Sequence, residues 1–429
     1  MYVSINQQGL IQAASKEKAI RINGNQTYHI PSLVDEKSLI GKRVVTGGSK
    51  QLSELKIAGI CNWGDQCGIA TYSEQLIPEL RKHVKEVKIF AESMDAVSDD
   101  PDVLHCWNRG QSCIDLANKI IEYGPDVIFI QHEFGLFPRA THFLKLLEML
   151  DNIPYVITLH SVYEHLDKTI CTSYIKNIIT HNPNGEDCLR RLGHRNKVFL
   201  LPHGCNVYDN VQPLWNIFQN ERTIIQFGFG FDYKGLDQAI EAVEILKNRS
   251  DEFKDIFYCF LCSESNHTRA IQTRYYNNIR KLVEDKGLQD NVVVLRGYLS
   301  EQHMQNFLRT AKLAVFPYKN DPNNIVFGAS GAIRKAMSNG IPVIASDCHL
   351  FDDLEGVVPR PNSPEQLADE IAKVFTSGEH RASLLQKARS FVTENSWESV
   401  GKQYAEILGL LAQSSETDSI RVDEMKALL

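Results

Sequence analysis

Lys234 is the residue whose type and setting point most directly to chemistry. It lies in the glycine-rich stretch Phe227 to Gly235, Phe-Gly-Phe-Gly-Phe-Asp-Tyr-Lys-Gly, directly after an apolar run. A cation so placed can stabilise charge growing on a departing phosphate, although most loop lysines are simply solvated. Gly228 in the same stretch, and Gly68 at the start of an amphipathic segment, let backbone come close to a ligand. Ser330-Gly331 opens another such segment, with Ile333, Ala336 and Met337 on one face. The start of a helix offers free N–H groups and the positive end of a dipole. One cation with two helix starts suits a nucleoside diphosphate, whose negative charge is concentrated.

Histidines and acids supply the remaining candidates. His160 closes the apolar run Tyr155 to Leu159, and the pair His132 and Glu133 follows the run from Val127. A histidine at a strand end can donate a hydrogen bond or move a proton near neutral pH, while a lone histidine is more often structural. His203, in Leu201-Pro202-His203-Gly204, reads as a hinge residue. The acidic run Ser98-Asp99-Asp100-Pro101-Asp102 reads as a solvated turn, and no Asp-x-Asp pair stands at a matching strand end, so no metal is expected. Cys259-x-x-Cys262 has no second pair, and residues three apart on a strand face opposite ways, so buried reduced thiols are expected.

The elements that must position these residues alternate regularly. From Leu55 onward, apolar runs at Leu55 to Ile60, Val87 to Ala91, Asp126 to Gln131, Tyr155 to Leu159, Asn177 to Thr180 and Val198 to Leu201 are separated by amphipathic segments. Continuous Val/Ile/Leu strands between helices indicate a parallel sheet covered on both faces. The rhythm restarts with runs at Thr223 to Phe227, Ile256 to Leu261, Val292 to Leu295, Leu313 to Phe316 and Pro342 to Ala345. The expected fold is α/β, two Rossmann-like domains facing across a cleft. The expected division is an N-terminal arm or small β element at 1–50, a first domain at 51–205 and a hinge at 206–221. A second domain follows at 222–395, a helix crossing back to the first domain at 396–412, and a loose polar tail at 413–429. Within the arm, Tyr2 to Ile5 and Ala19 to Gly24 read as strands.

Bulk composition agrees with a soluble two-domain chain. There are 429 residues, 43% hydrophobic and 23% charged, with a formal net charge of -7. That balance argues against a protein that coats nucleic acid, which needs a basic surface. No apolar run is long enough to cross a bilayer and no signal-peptide core opens the chain. The expected location is the cytoplasm, with the inner membrane surface as a peripheral alternative.

From Leu55 to Leu411 the chain resembles the GT-B retaining glycosyltransferases of family four. Five stretches carry the likeness: Cys67-Gly68-Ile69-Ala70-Thr71-Tyr72, Gln131-His132-Glu133-Phe134-Gly135, Thr158-Leu159-His160-Ser161, Phe227 to Gly235, and Gly331 to Ser346. Their order and spacing make the likeness specific. The resemblance implies a nucleotide-sugar donor, UDP- or GDP-linked, used without a metal or other cofactor and with retention at the sugar. It implies that Lys234 holds the donor diphosphate and that His160 serves the transferring sugar. It assigns Gly297, Tyr298 and Leu299 to reading the base, and Gly68, Gly228, Ser330 and Gly331 to donor binding. His132 and Glu133 fall on the acceptor side, where a glycan or lipid-linked glycan is expected.

The chain departs from the family where its Glu-x7-Glu motif should stand. Counted back from Ala336-Met337, the two carboxylate positions hold Phe327 and Lys335. Donor recognition must therefore be rebuilt, with Asn323, Asn324, Ser330, Arg334 and Lys335 as the candidates. Two rival readings follow. One is a transferase acting on hydroxymethylated bases of viral DNA; the other is a sugar-nucleotide-binding protein without turnover.

Overall fold

The computed structural model describes residues 2–5, 11–15, 26–29, 50–65, 67–93, 99–165, 175–208, 212–263, 269–297 and 299–426, with side chains described from 50 to 413. The expected strand at Ala19 to Gly24 lies outside these residues. Near the N-terminus, β1 (Tyr2–Ile5), β2 (Ile11–Ser15) and β3 (Gln26–His29) form an antiparallel sheet with β1 in the middle.

The first domain is built on β4 (Lys56–Cys61), β5 (Glu86–Glu92), β6 (Val103–Trp107), β7 (Val127–His132), β8 (Tyr155–Leu159), the short β9 (Ser161–Tyr163), β10 (Asn177–Thr180) and β11 (Lys197–Leu200). Seven of these make one parallel sheet in the order β11-β10-β8-β7-β4-β5-β6. Every residue of β7 and β8 is buried, because helices cover both faces; this is why their sequences run apolar without alternation. One face packs α2 (Ile114–Tyr123) and α3 (Ala140–Met149), and the other packs α1 (Gly68–Arg81). α4 (Pro183–Arg191) is capped by Asn182, whose side chain accepts from the Asn184 and Gly185 N–H groups. Strand β6 escapes the sequence reading because it is a short, half-exposed edge strand whose apolar run is broken by His105.

The second domain holds β12 (Thr223–Phe229), β13 (Phe257–Ser263), β14 (Val292–Arg296), β15 (Leu313–Phe316), the short β16 (Val326–Gly328) and β17 (Val343–Ala345). Its five-stranded sheet is parallel, in the order β14-β13-β12-β15-β17. Helices α5 (Leu236–Arg249), α6 (Arg269–Asp285), α7 (Glu301–Thr310), α8 (Gly331–Ser338), α9 (Pro364–Thr376) and α10 (Gly378–Glu394) flank it. Cys259 and Cys262 are buried in the cores on opposite faces of this sheet.

A returning helix and a short strand pairing help to join the domains. The final helix α11 (Trp397–Lys426) returns to the first domain, burying Trp397, Val400, Tyr404, Leu408 and Leu411 beside α1. It runs past the expected end at 412, since neither Gly nor Pro interrupts 413–426. The second link is an antiparallel pairing of β9 with β16, in register Val326↔Tyr163, Phe327↔Val162 and Gly328↔Ser161. A side chain at Gly328 would come within 2.8 Å of the His160 carbonyl oxygen, so the two domains touch where β8 ends.

Candidate active site between the two domains

The second-domain side is organised by the turn after β12. Gly228 has φ of 134°, a conformation suited to glycine, and a Cβ there would sit 3.6 Å from Lys234 Nζ. At Gly235, with φ of 65°, a Cβ would collide with the Pro317 carbonyl oxygen at 1.7 Å. The two glycines fold Lys234 inward, where only 8% of it is exposed. Lys234 Nζ donates to the Tyr318 hydroxyl at 2.6 Å and lies 4.0 Å from the centre of that ring. No carboxylate pairs with it among the described residues; Asp232, two residues earlier, is taken by Lys319 at 3.4 Å. Burial pushes the Lys234 ammonium down to about 7. The Tyr318 hydroxyl also engages Ser330, the residue before α8. The Ser330 side chain caps no N–H group of that helix, so its positive end is left open beside the buried cation.

The first-domain side is a cluster of rings around Tyr72 of α1. Tyr72 meets His160 at 4.7 Å, His203 at 5.1 Å, His181 at 5.3 Å and Trp397 at 5.0 Å between ring centres. His160 Nε2 lies 2.8 Å from Gln131 Oε1, and Gln131 Nε2 in turn donates to the Tyr404 hydroxyl at 3.4 Å. With the amide so oriented, Nε2 carries the proton and Nδ1 is left as an acceptor. Desolvation holds His160 well below the usual histidine range, with His181 and His132 adding to it, so the ring is neutral. His181 is pushed down to about 4 by burial, and His203 is lowered by burial and by Arg334.

Arg334 locks this cluster to the second domain. It is 1% exposed, donates from Nε to the His203 carbonyl oxygen at 3.2 Å, from Nη1 to the Ser330 carbonyl oxygen at 3.0 Å, and pairs with Asp353. Asn182 adds a second tie, its Nδ2 donating to the Gly328 carbonyl oxygen at 3.0 Å.

The remaining sequence candidates are distributed around this seam. Glu133 reaches Tyr163 at 3.4 Å, and burial raises its carboxyl above the usual range. His132 is stacked on Phe137 and flanked by Phe134 and Phe143 within the core, and its ring is pushed down to about 3; its carbonyl oxygen accepts the His160 N–H at 3.3 Å. Gly68 is the first residue of α1, capped by the Cys67 sulfur, with nothing within 4 Å of where a Cβ would stand. Gly297 follows β14 with φ of 137°, Leu299 packs on the second-domain core, and Tyr298 lies outside the described residues. The Asn324 side-chain oxygen is buried without a partner among the described residues, while Lys335 is tied to Glu301 at 2.6 Å. Phe327 is buried in the first-domain core, its ring 4.9 Å from His349. Sequence reasoning misses Tyr72, His181 and Tyr318. His181 directly follows β10 and Tyr318 stands two residues past β15, at strand ends where ligands gather in such sheets, so that rule alone could have found them.

Among the described residues no group of three or more His, Cys, Asp or Glu could hold a metal ion, and no helix is long and apolar enough to cross a membrane. Residues 209–391 match a family model described as glycosyl transferases group 1. No curated protein matches the chain in sequence. Solved structures do match in fold. Sucrose-phosphate synthase from Thermosynechococcus elongatus is 19% identical, with a TM-score of 0.67 over 83% of this chain and 99% of that one. Anabaena HepE, solved with UDP, is 15% identical, with a TM-score of 0.62 over 83% and 100%. The trehalose 6-phosphate synthase of Burkholderia multivorans is 10% identical, with a TM-score of 0.65 over 85% and 98%. The two Rossmann-like domains with a returning C-terminal helix are the GT-B fold.

Proposed function

We propose that this chain is a glycosyltransferase that moves a sugar from a nucleotide-diphosphate-sugar donor to an acceptor hydroxyl, with retention and without a metal. The observation that carries the reading is Lys234: a buried cation lacking a carboxylate partner among the described residues, beside an uncapped helix start. Burying a charge without a counter-charge is costly, and a bound diphosphate would supply that counter-charge. UDP is the preferred nucleotide, because HepE was solved with UDP and with UDP and glucose.

In this mechanism the diphosphate sits against Lys234, Tyr318, Gly228 and the Ser330-Gly331 start of α8. Its negative charge raises the pKa of Lys234, so the ammonium is fully charged when the sugar–phosphate bond stretches. Charge that develops on the leaving oxygen then meets a donor already in place. His160 stands across the seam and accepts a hydrogen bond from a sugar hydroxyl through Nδ1, with Gln131 and Tyr404 holding its ring. Glu133 lies on the acceptor side with Tyr163, and His132 supports the His160 backbone from within the core. The departing phosphate takes the acceptor proton on the same face, which leaves no separate base to find. A glycan or lipid-linked glycan is the acceptor in this reading. Incubation with a panel of nucleotide sugars and acceptors, followed by mass spectrometry, tests it; absence of any product or nucleoside diphosphate release would sink it.

A second reading is a sugar-nucleotide sensor. Two observations favour it: Phe327 is buried in the first-domain core, and Lys335 is held by Glu301. Nucleotide binding without donor hydrolysis or transfer would select it.

A further inference from the structure

Resting on that reading, we propose that the acceptor is an uncharged sugar whose hydroxyls are bound by Arg109, Asn62 and Asp65 at the carboxyl ends of β4, β5 and β6. Glu92, the last residue of β5, organises the group. It takes Arg109 Nε on Oε1 at 3.0 Å, Arg109 Nη2 on Oε2 at 2.8 Å, and Asn62 Nδ2 on Oε2 at 2.8 Å. The Arg109 backbone N–H adds a contact to Oε1 at 3.3 Å. With four donors on one buried carboxylate, Glu92 has little capacity left for a ligand, and its work is to fix the guanidinium. Arg109 stays partly exposed, and its Nη1 makes no hydrogen bond among the described residues. Asn62 is wholly buried, yet its Oδ1 has no partner among the described residues. A buried carbonyl oxygen left bare is costly, and a hydroxyl donor would satisfy it.

Place and charge make the group an acceptor subsite. Strand order reverses between β4 and β7, and a crevice opens beyond the strand ends at such a point. The loop after β4 carries Asn62 and Asp65; the loop after β7 carries Glu133. From β5 to the His160 end of β8 is three strand spacings, about 14 Å, so the two sets of groups line one cleft. The Arg109 charge is matched by Glu92, and Asp65 lies within electrostatic range of the guanidinium. The group is thus net negative. Paired Arg and Glu with a free amide oxygen and an extra acid suit hydroxyls, and they repel a phosphate.

The test compares matched acceptors. The full chain is given UDP-glucose with either methyl hexosides or hexose 6-phosphates, and UDP release and products are followed. Neutral hexosides are expected to stimulate release by roughly tenfold over the phosphates. Arg109→Lys, which keeps the charge but loses the fork, should abolish that stimulation, with a melting curve showing that the variant is folded. Asp65→Lys, on a surface loop, should move the preference toward phosphates by roughly fivefold. Stimulation by phosphates as strong as by hexosides, stimulation by neither, or an Arg109→Lys variant with unchanged stimulation overturns the proposal while leaving the donor reading intact. Failure of the wild-type chain to bind UDP removes the donor reading and this proposal with it.

Discussion

The two walls of the cleft treat charge in opposite ways. On the second domain, Lys234 is buried with a tyrosine hydroxyl as its partner and no acid among the described residues. On the first, Glu92 is matched by Arg109, and His160, His181 and His203 are held neutral by burial. A buried lysine without an acid gives up its proton near neutral pH and regains it when a ligand supplies an anion, whereas neutral rings and matched pairs suit a ligand without charge. In the proposed function the diphosphate therefore lies on one wall and the sugar and its acceptor on the other. Arg334 holds the walls together, since its one guanidinium touches His203, Ser330 and Asp353.

Removing that tie should give the largest effect. Arg334→Ala leaves Asp353 buried without its partner and should cost roughly 3–5 kcal/mol in urea unfolding. The double replacement Arg334→Met with Asp353→Leu should recover most of that loss. An exposed-pair loss of under about 1 kcal/mol would mean the seam is not built on this residue.

His160→Ala should lower transfer by roughly 10²-fold while UDP affinity stays nearly unchanged, since in the proposed function the ring serves the sugar and not the diphosphate. A joint fall in melting temperature and UDP affinity would instead make it a core histidine.

The neutral histidines also set an acid limit. Their folded-state pKa values are depressed, so the unfolded chain takes up protons first as pH falls below about 6.5. Stability should be full above that pH and decline toward about 4, where His181 titrates in the folded protein. Each such histidine contributes a slope of about 1.4 kcal/mol per pH unit in that window. His181→Gln should flatten the slope by about one proton; melting curves across the range check this. The smallest expected effect is that of a chelator: excess EDTA should leave transfer unchanged, and loss restored by magnesium or manganese would break the metal-free account.

Most of the fold was legible because its strands are buried on both faces and so stand out as apolar runs. The exceptions are physical. β6 is a half-exposed edge, and β9 with β16 make three-residue strands that exist only because two domains meet there. Lys234 was legible from its glycine-rich loop, but its lack of an acid partner was not, since that depends on Lys319 reaching Asp232. His132 and His160 look alike in sequence, each closing an apolar run. Only tertiary packing separates them, with aromatic rings enclosing His132 and Gln131 holding His160. The Arg109 and Glu92 pair was invisible because its members come from different strand ends and follow no motif.

The most direct test of the central claim is calorimetric titration of UDP at about pH 7 and about pH 9, with the wild-type chain and Lys234→Met. Unliganded Lys234 loses its proton near pH 7, and a bound diphosphate must put it back. UDP should therefore bind with proton uptake, and its affinity should fall as pH rises across that interval. Lys234→Met should bind UDP roughly 10- to 100-fold more weakly at the lower pH and lose the dependence. Wild-type affinity that ignores pH, matched by an unweakened Lys234→Met, would contradict the account.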